Sequence, residues 1–562
     1  MSGIEQDATA RQFASTGGQA TSGTWRSAGR RHVLFLVSDF APLPSVGRLR
    51  TQRFCRYLPD WGWRVSVVTL RPPPATPTDT ELLNEIPSET RVYRVACPQP
   101  FEWPVRMASL AVRAVFGRTA VAQAHAVSTP NDRMHVSDAT PSPAVRAGVV
   151  VPAVARAVDG IKRWLTRHFL IPDEGVTALP GMVRRAVRVI RRDRVDVIVA
   201  SVPGFAPWLA AVIAGRITRR PVIVDYRDLW HGDVLRTWLG RFRRRLELAM
   251  ERWALKGSSA IVTVSEQKTA YVRSLGRDVG HRPFQTIYNG FDATELPSDS
   301  TPHREPDDAD RFVWLYAGRL YGHRRIDPLV EAIGRLVRAG RVPQTLLRLR
   351  ILGSVEAGHA EHLRHLAQRY GLSDLLSLDG YVTRRDSLQR LLGADVTVVV
   401  VDPGPNCAGV LPGKITECMG MGCYVFGLCH AGEASDLLDE YGHAAHAPPT
   451  DPEHLERAVE RVVHQFLDDR NAFRRRPARR VVPSAVEAAG SLSRLLDDVV
   501  SAVAASRPPS IQPANPDRER DAGLGIAARS GTGGQAASGT RSGTVAVAAR
   551  SAMNPGTSGM AG

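Results

Sequence analysis

Short apolar runs rich in β-branched residues recur along the chain and predict strands that are buried on both faces. In the first half they occupy residues 32–37, 64–69, 91–96, 195–201, 221–226 and 259–265, and in the second half residues 312–318, 347–352, 375–382, 396–401 and 424–428. Such runs are typical of parallel sheets covered by helices on both sides. Segments with a helical apolar period lie between them, at 205–218, 236–256, 358–370, 384–392 and 453–466. This alternation predicts an α/β chain with two doubly wound, Rossmann-like sheets.

The alternation also predicts the domain boundaries. The first Rossmann-like domain spans residues 31–292, and an irregular basic insertion at about 100–175 interrupts its pattern. The second Rossmann-like domain spans residues 312–480. A final helical pattern at 481–505 ends the folded part of the chain.

Low-complexity segments flank and connect these domains. Residues 1–30 and 506–562 are rich in Gly, Ser and Ala, a composition that predicts disordered tails. Residues 293–311 contain several Pro and Asp residues and predict a linker. Asp308 and Asp310 form a DxD-like pair there, of the kind that holds a divalent metal, but no apolar strand leads into it. We therefore expect both carboxylates to be solvated linker residues.

The stretch 394–422 carries the most informative local pattern. A β-branched run is followed by a glycine-rich loop and by a helix that starts near Gly413, with Lys414 in its first turn. The free amides and the dipole of a helix N-terminus favour an anion, and Lys414 adds a full positive charge. Glu417 shares a helix face with Lys414, so the two could grip a diphosphate and a ribose hydroxyl. An ordinary Lys–Glu surface pair explains the same spacing.

Two other strand ends carry charged residues in places where open α/β sheets bind ligands. Asp225, Arg227 and Asp228 end one strand of the first half and are either a site or an ion pair that steadies the loop. Arg319 and Arg325 follow the first strand of the second half. They are either surface charge or phosphate ligands that face the same sheet edge as Lys414.

The net charge of +17 and the isoelectric point of about 10.2 indicate an anionic partner. Nucleic acid, an acidic membrane surface and a phosphorylated substrate all fit that balance. The basic residues are not interleaved with aromatic ones and no recognition motif is present, so nucleic acid is not expected. The segment Val154–Phe169 has an apolar stripe opposite several arginines. That pattern is typical of a membrane-surface helix and equally of an ordinary domain helix.

Cysteine spacing and hydropathy indicate the compartment. The six cysteines form no CxxC pair and no Cys/His spacing suited to zinc, so no metal site is predicted and buried free thiols are expected. The N-terminus has no apolar core of a signal peptide, and no apolar run approaches the roughly 18 residues of a membrane span. These features predict a cytoplasmic protein that crosses no membrane. The basic charge and the segment Val154–Phe169 would allow it to lie at the inner face of the plasma membrane, and a protein free in the cytoplasm fits equally.

Six sequence segments form a pattern when they are taken in order. They are the loop after the first strand, DYRDLW, MERWALKGSSAIVTVSE, YNGFD, LYAGRLYG and LPGKITECMGMGCYVFGL. Together they resemble glycosyltransferase family 4, of the GT-B fold, and within it bacterial enzymes of surface-polysaccharide and lipopolysaccharide assembly. The resemblance covers about residues 31–500, apart from much of 100–170. It implies two domains that face a central cleft.

The resemblance also implies an activity. A sugar would move from a UDP- or GDP-sugar to a glycan or lipid-linked acceptor, with retention at the anomeric carbon. The nucleotide-sugar would be the donor substrate, and no metal or other cofactor would be required.

The resemblance further implies roles for single residues. Glu417 matches the glutamate that holds the donor's ribose, and Lys414 matches the lysine beside the diphosphate. Arg319 and Arg325 match the basic pair that neutralises the leaving diphosphate, and Asp228 stands near a catalytic or acceptor-side position. The other implied donor-binding positions are Gly47, Gly318, Tyr381, Val382, Gly409, Val410 and Leu411.

The chain departs from the family pattern in several places. The acid that the family usually carries before Glu417 is replaced by Gly409, and the usual double-glycine loop is reduced to Gly47. Pro412 lacks the backbone N–H that a phosphate would use. These departures leave open a non-catalytic sugar-nucleotide-binding scaffold and a sugar-nucleotide epimerase on the same fold. The basic charge leaves open a nucleic-acid-binding protein.

Overall fold

The computed structural model describes residues 30–73, 76, 78–99, 164, 168–232, 240–275, 282–296, 302–404, 407–477 and 482–506. The predicted tails and most of the basic insertion lie outside these residues, as does nearly all of the segment Val154–Phe169. Within the described part, no helix is long and apolar enough to cross a membrane.

Seven parallel strands form the first sheet, in the order β3-β2-β1-β4-β5-β6-β7. They are β1 (Arg31–Val37), β2 (Trp63–Leu70), β3 (Arg91–Val95), β4 (Val197–Val202), β5 (Val222–Tyr226), β6 (Ala260–Thr263) and β7 (Phe284–Thr286). The first six coincide with the apolar runs of the first half, because β-branched residues pack against helices on both faces of a parallel sheet. The three residues of β7 contain no such run, and the sequence pattern does not predict this strand.

Six parallel strands form the second sheet, in the order β10-β9-β8-β11-β12-β13. They are β8 (Phe312–Ala317), β9 (Leu347–Leu352), β10 (Leu376–Gly380), β11 (Val396–Val400), β12 (Val425–Leu428) and β13 (Ala444–Ala447). The predicted α/β architecture of two doubly wound sheets is therefore confirmed. The edge strand β13 is rich in alanine and only partly buried, and it too is absent from the sequence prediction.

Helices cover both faces of both sheets. Those of the first half are α1 (Arg48–Tyr57), α2 (Leu179–Asp193), α3 (Phe205–Thr218), α4 (Arg241–Gly257) and α5 (Glu266–Ser274). Those of the second half are α6 (Asp327–Arg338), α7 (Ala357–Tyr370), α8 (Arg384–Gly393), α9 (Gly413–Gly420), α10 (Glu433–Tyr441), α11 (Pro452–Asp468), α12 (Arg470–Arg474) and α13 (Ala485–Ala505).

The last helix, α13, returns to the first sheet. Ser484 starts it by accepting a hydrogen bond from the backbone N–H of Glu487, 3.1 Å away, in a reciprocal capping box. Its apolar stripe, with Leu492 and Leu496, belongs to the core cluster of Phe35 and α1. One face of the first sheet is thus covered by α1 and α13, and the other by α2, α3 and α4.

The chain passes between the two sheets at two places that touch each other. Phe291 and Ser484 form an isolated parallel bridge. A Cβ on Gly290 would lie 2.2 Å from the carbonyl carbon of Ser484, so only glycine allows this approach. The ring of Phe291 fills the space beside Gly420 of α9, where a Cβ would lie 2.2 Å from the ring. The crossing is therefore closely packed.

The expectation that Asp308 is a solvated linker residue is wrong. Asp308 is 1% exposed, and its carboxylate lies 2.5 Å from Nε of Arg350 and 3.3 Å from Nε of Arg348. Both arginines project from β9, and together with Asp379, which lies 2.7 Å from Arg350, the buried carboxylate of Asp308 balances their two charges. Asp310 remains exposed, so the two aspartates do not form one site.

The strand orders place a crevice in each sheet. The order reverses between β1 and β4 in the first sheet and between β8 and β11 in the second. Ligands of open α/β sheets bind outside the carboxyl ends of the strands at such a point. A ligand is therefore expected at the loops that follow β1, β8 and β11.

Candidate active site

In the second sheet, the loops after β8 and β11 place Lys414 against Gly318. Cε of Lys414 lies 3.4 Å from the position that a Cβ would take on Gly318. Lys414 is half-buried in the first turn of α9, a turn that contains no acidic residue. It makes no hydrogen bond or ion pair with the described residues. The positive end of α9 and an unpaired ammonium group therefore lie together at the switch point of this sheet.

Glu417 is anchored in a chain of four charged side chains. Its Oε1 accepts a hydrogen bond of 2.6 Å from Arg384, which also donates to Glu295 at 2.6 Å. Glu295 in turn receives two hydrogen bonds from Arg53, of 2.7 and 2.9 Å. Burial alone would raise the pKa of Glu295, but Arg53 and Arg384 outweigh burial and lower it. The chain links α1 of the first half to α8 and α9 of the second.

On the first sheet, hydrogen bonds from Arg227 hold the loop after β1. Arg227 donates to the carbonyl oxygens of Gly47 (2.5 Å) and Val202 (3.0 Å). A Cβ on Gly47 would lie 3.0 Å from Oδ2 of Asp39, so this glycine lets the loop close over the carboxylate. Asp225 does not pair with Arg227, because its carboxylate is held by Arg50 and Ser201 in the buried interior.

Lys268 joins the two halves of the cleft. Its Nζ lies 3.6 Å from Oδ1 of Asp228, and the Asp228 side chain is 59% exposed. Its backbone nitrogen lies 3.3 Å from the position that a Cβ would take on Gly409. Ser265 Oγ donates to the Gly409 carbonyl at 2.8 Å. The structure thus places Asp228 of the first half beside the ammonium group of Lys268 and Gly409 of the second half beside its backbone.

Glu433 makes a second contact across the cleft. It begins α10, and its two carboxylate oxygens accept hydrogen bonds from the backbone N–H groups of Glu266 (2.7 Å) and Gln267 (3.1 Å). A carboxylate is favourable there because these are free amides at the start of α5. Glu433 also accepts from the Tyr288 hydroxyl at 3.0 Å. Burial and the Glu433 charge raise the pKa of Tyr288 above its ordinary value.

The two arginines predicted after β8 have different surroundings. Arg319 is exposed, and its guanidinium stacks 5.3 Å from the centre of the Tyr321 ring. Arg325 is bound by both oxygens of Asp327, at 2.9 Å each. The structure therefore leaves the charge of Arg319 open to the cleft loop and gives the charge of Arg325 to a neighbour.

The remaining predicted positions line the carboxyl edge of the second sheet. Tyr381 is 79% exposed in the loop after β10, and Val382 packs partly against the core. Val410 is half-buried, and its N–H donates to the carbonyl of Cys407 at 2.9 Å. The side chain of Leu411 lies in the core, so only its backbone faces the loop.

Several cleft residues are not predicted from the sequence: Asp39, Ser265, Lys268, Glu295, Arg384 and Glu433. Ser265 and Lys268 follow β6, Asp39 follows β1 and Glu433 follows β12. The rule that polar residues at carboxyl ends of parallel strands form sites would have found these four. No local signal marks Glu295 or Arg384, because their role depends on partners far along the chain.

The charged side chains at the carboxyl edge of the second sheet favour an anionic ligand that also carries polar, uncharged groups. Lys414 and Arg319 are the cations for which no ion pair is present among the described residues at this edge. Glu417 keeps its second oxygen free of described partners, and a carboxylate oxygen accepts from sugar hydroxyls. Within the described ranges no cluster of three or more His, Cys, Asp or Glu side chains could hold a metal ion.

Two family models match the chain. Residues 136–295 match the model described as Glycosyltransferase Family 4, and residues 311–465 match the model described as Glycosyl transferases group 1. No curated protein matches the chain.

Solved structures are similar to this chain over 84–85% of its length. Sucrose-phosphate synthase from Thermosynechococcus elongatus covers 84% of this chain and 100% of its own, with 15% identity and a TM-score of 0.52. HepE from Anabaena in complex with UDP covers 85% and 99%, with 15% identity and a TM-score of 0.47. A glycosyltransferase from Rickettsia africae covers 85% and 100%, with 11% identity and a TM-score of 0.49. At these identities the likeness to sucrose-phosphate synthase shows the fold alone.

Proposed function

We infer that this chain transfers a sugar from a UDP- or GDP-sugar, because its two halves match the family models of glycosyltransferase family 4 and of glycosyl transferases group 1. The proposed acceptor is a glycan or a lipid-linked sugar in the biosynthesis of surface polysaccharide. The proposal includes retention at the anomeric carbon and action at the inner face of the plasma membrane.

One observation carries the proposed donor site. Lys414 lies in the first turn of α9 against Gly318, at the point where the strand order of the second sheet reverses. It forms no ion pair with the described residues. A diphosphate needs positive charge that is not already neutralised by the protein. Arg319 supplies a second such charge from the loop after β8. Arg325 would first have to leave Asp327, so its predicted part in neutralising the diphosphate is the weaker one.

Glu417 is proposed to bind the ribose. Arg384 fixes one of its oxygens, which orients the carboxylate and leaves the other oxygen able to accept from a hydroxyl. The loops at Gly47, Gly409 and Val410 would approach the sugar and diphosphate, and the exposed Tyr381 and its neighbour Val382 would lie beside the base.

In the proposed reaction, the bond between the anomeric carbon and the diphosphate oxygen breaks, and a bond to the acceptor oxygen forms. The diphosphate leaves with the electron pair, and Lys414 and Arg319 stabilise the developing negative charge. The acceptor's hydroxyl proton passes to the departing phosphate oxygen. Asp228 lies on the first-sheet side, where it would orient the acceptor. Closing the cleft excludes water and protects the donor from hydrolysis.

The test measures sugar transfer and nucleoside diphosphate release with a panel of UDP- and GDP-sugars. Donor binding is read from the rise in melting temperature with each nucleotide. The variants Lys414→Ala and Glu417→Ala should each reduce transfer by at least about tenfold. Lys414→Ala should also reduce the thermal shift produced by the diphosphate.

The matched control is Lys256→Ala, at an exposed position near the end of α4. It removes the same charge from a site remote from the cleft loops, so transfer should stay at the wild-type rate. Full activity in both Lys414→Ala and Glu417→Ala would rule out this donor site.

A further inference from the structure

Three polar side-chain atoms surround the open face of Gly47 in the loop after β1. The position that a Cβ would take on this glycine lies 3.0 Å from Oδ2 of Asp39, 3.7 Å from Oγ of Ser45 and 3.8 Å from Nη1 of Arg227. Any larger residue at this position would fill the space between the three atoms. Glycine therefore leaves a small polar cradle, which consists of the side chains of Asp39, Ser45 and Arg227.

The cradle lies at the crevice of the first sheet. Asp39 is the second residue after β1, and the strand order reverses between β1 and β4. The loops after these two strands touch, since a Cβ on Gly204 would lie 1.9 Å from Oγ of Ser38. Arg227 comes directly after β5. The cradle is thus built at the carboxyl edge of the strands, where open α/β sheets bind ligands.

Two of the three groups have no partner in the part of the chain that the structure describes. The carboxylate of the half-buried Asp39 makes no hydrogen bond or ion pair there. Oγ of Ser45 is buried and has no hydrogen-bond partner. The guanidinium of Arg227 donates to the carbonyl oxygens of Gly47 and Val202. Buried polar groups of native proteins are almost always hydrogen-bonded, so the unpartnered carboxylate and hydroxyl indicate a ligand.

Other carboxylates near this edge are already bound by the protein. Asp173 accepts a hydrogen bond of 2.6 Å from the backbone N–H of Phe205 at the start of α3. Asp225 accepts from Nε of Arg50 at 3.0 Å. These two carboxylates stabilise the fold. Asp39 has no such contact, so its carboxylate is available to accept from a ligand.

We propose that the cradle binds a hydroxyl group of an uncharged sugar, which under the proposed function is the acceptor. A hydroxyl group both donates and accepts, so it can donate to Asp39 and accept from Ser45 or Arg227. The carboxylate of Asp39 disfavours a phosphate or carboxylate ligand, and the guanidinium of Arg227 disfavours an ammonium ligand. Val46 is 72% exposed beside the cradle and offers an apolar contact to the C–H groups of a sugar ring.

The cradle is connected to the donor side through the residue that follows Arg227. Asp228 lies 3.6 Å from Nζ of Lys268, and the backbone nitrogen of Lys268 lies 3.3 Å from the position that a Cβ would take on Gly409. A sugar at Gly47 is therefore held on the first-half side of a chain of contacts that reaches the donor loop. The assignment of this sugar as the acceptor rests on the proposed function, whereas the binding of an uncharged sugar does not.

The experiment measures sugar binding to the full chain by saturation-transfer NMR, with UDP or GDP present. The neutral probes are the methyl glycosides of glucose, mannose and galactose. The charged probes are the methyl glycosides of glucuronic acid and of glucosamine. At least one neutral glycoside should bind, and it should bind more tightly than either charged probe. Tighter binding of a charged probe, or no binding of any neutral glycoside at millimolar concentration, overturns the proposal.

Two variants assign the binding to the cradle. Asp39→Asn keeps the size of the side chain and removes its charge, and it should weaken binding of the neutral glycoside at least about tenfold. Ser45→Ala should weaken this binding about threefold or more. The matched control is Asp60→Asn, an exposed position just before β2 and thus at the amino edge of the sheet, which should bind as the wild type does. Binding by Asp39→Asn and Ser45→Ala equal to that of the control overturns the proposal.

The rise in melting temperature with the nucleotide reports separately on folding and on the donor site. Both cradle variants should keep this rise, and Ser45→Ala carries the test if Asp39→Asn does not fold. A chain that binds neutral sugars through the cradle but transfers no sugar from any nucleotide-sugar would overturn the proposed function and leave the cradle intact. Sugar transfer with an unchanged acceptor KM in both cradle variants would overturn the cradle and leave the proposed function intact.

Discussion

Single residues of the cleft differ most in whether their charge already has a partner. Arg324 is held by Asp402 and Arg325 by Asp327, whereas Lys414 and Arg319 have no acidic partner among the described residues. Gly409 shows a second constraint, because a Cβ there would lie 3.1 Å from Cβ of Gln267. A side chain here would press on α5, so glycine at this position fits the close contact of the two halves.

Arg384 gives a prediction at this scale. Arg384→Met leaves the largely buried carboxylates of Glu295 and Glu417 without their shared partner, and we expect a loss of about 2 kcal/mol in the free energy of unfolding. Urea unfolding followed by tryptophan fluorescence measures this loss. The loss should be smaller when Glu295→Gln is already present, because one of the unpaired charges is then gone.

The KM for the donor distinguishes a role of Arg384 in orienting Glu417 from a role in stability alone. If Arg384 positions Glu417, then Arg384→Met should raise KM for the donor, and Arg384→Lys should restore part of the affinity. Additive stability losses in the two single variants, with unchanged donor KM, would contradict the predicted network.

At the scale of elements, the packing of α13 decides how the two halves are joined. This helix follows the second sheet in sequence but buries its apolar stripe against the first, beside α1. The chain therefore crosses twice, at Gly290–Phe291 and at Ser484. These two segments touch through the bridge of Phe291 and Ser484.

Gly290→Ala tests this crossing. The added methyl group would overlap the backbone of Ser484, and forcing the segments apart should cost about 1–3 kcal/mol in the free energy of unfolding. The control is Gly358→Ala in α7, where a Cβ meets nothing within 4 Å, and this variant should be as stable as the wild type or more stable by up to about 1 kcal/mol. Equal stability of the two variants would show that the crossing tolerates displacement.

At the scale of the whole molecule, three half-buried or buried histidines give stability the same pH dependence. Burial lowers the pKa of His32, His231 and His443 below the ordinary value of 6.5. Below pH 6.5 these histidines bind protons more readily in the unfolded chain than in the folded chain. The contribution of these groups is therefore complete above about pH 6.5 and is lost as the pH falls through the folded pKa values.

We expect the urea midpoint to fall between about pH 7.5 and about pH 5.5. His443→Phe should reduce this fall, because the ring contacts of His443 with Tyr424 and Phe473 can be kept while the titrating group is removed. A midpoint that rises on acidification, or the same dependence in His443→Phe, would contradict this account.

The amino-acid sequence by itself determined the two sheets. Buried parallel strands require uninterrupted β-branched runs, and that local requirement is visible in β1, β4, β8 and β11 without any tertiary information. It also determined the start of α9 at Gly413 and the placement of Lys414 in its first turn. The short edge strands β7 and β13 carry no such pattern, because few of their side chains are buried.

Only the tertiary structure decided which charges are available. Whether an arginine is a ligand or an ion-pair partner depends on residues distant along the chain, as for Arg384 with Glu295, and Arg350 with Asp308. Sequence spacing does not contain that information, since ion pairs form across elements that fold together. The return of α13 to the first sheet is likewise a contact between segments far apart in the chain, which local spacing does not show.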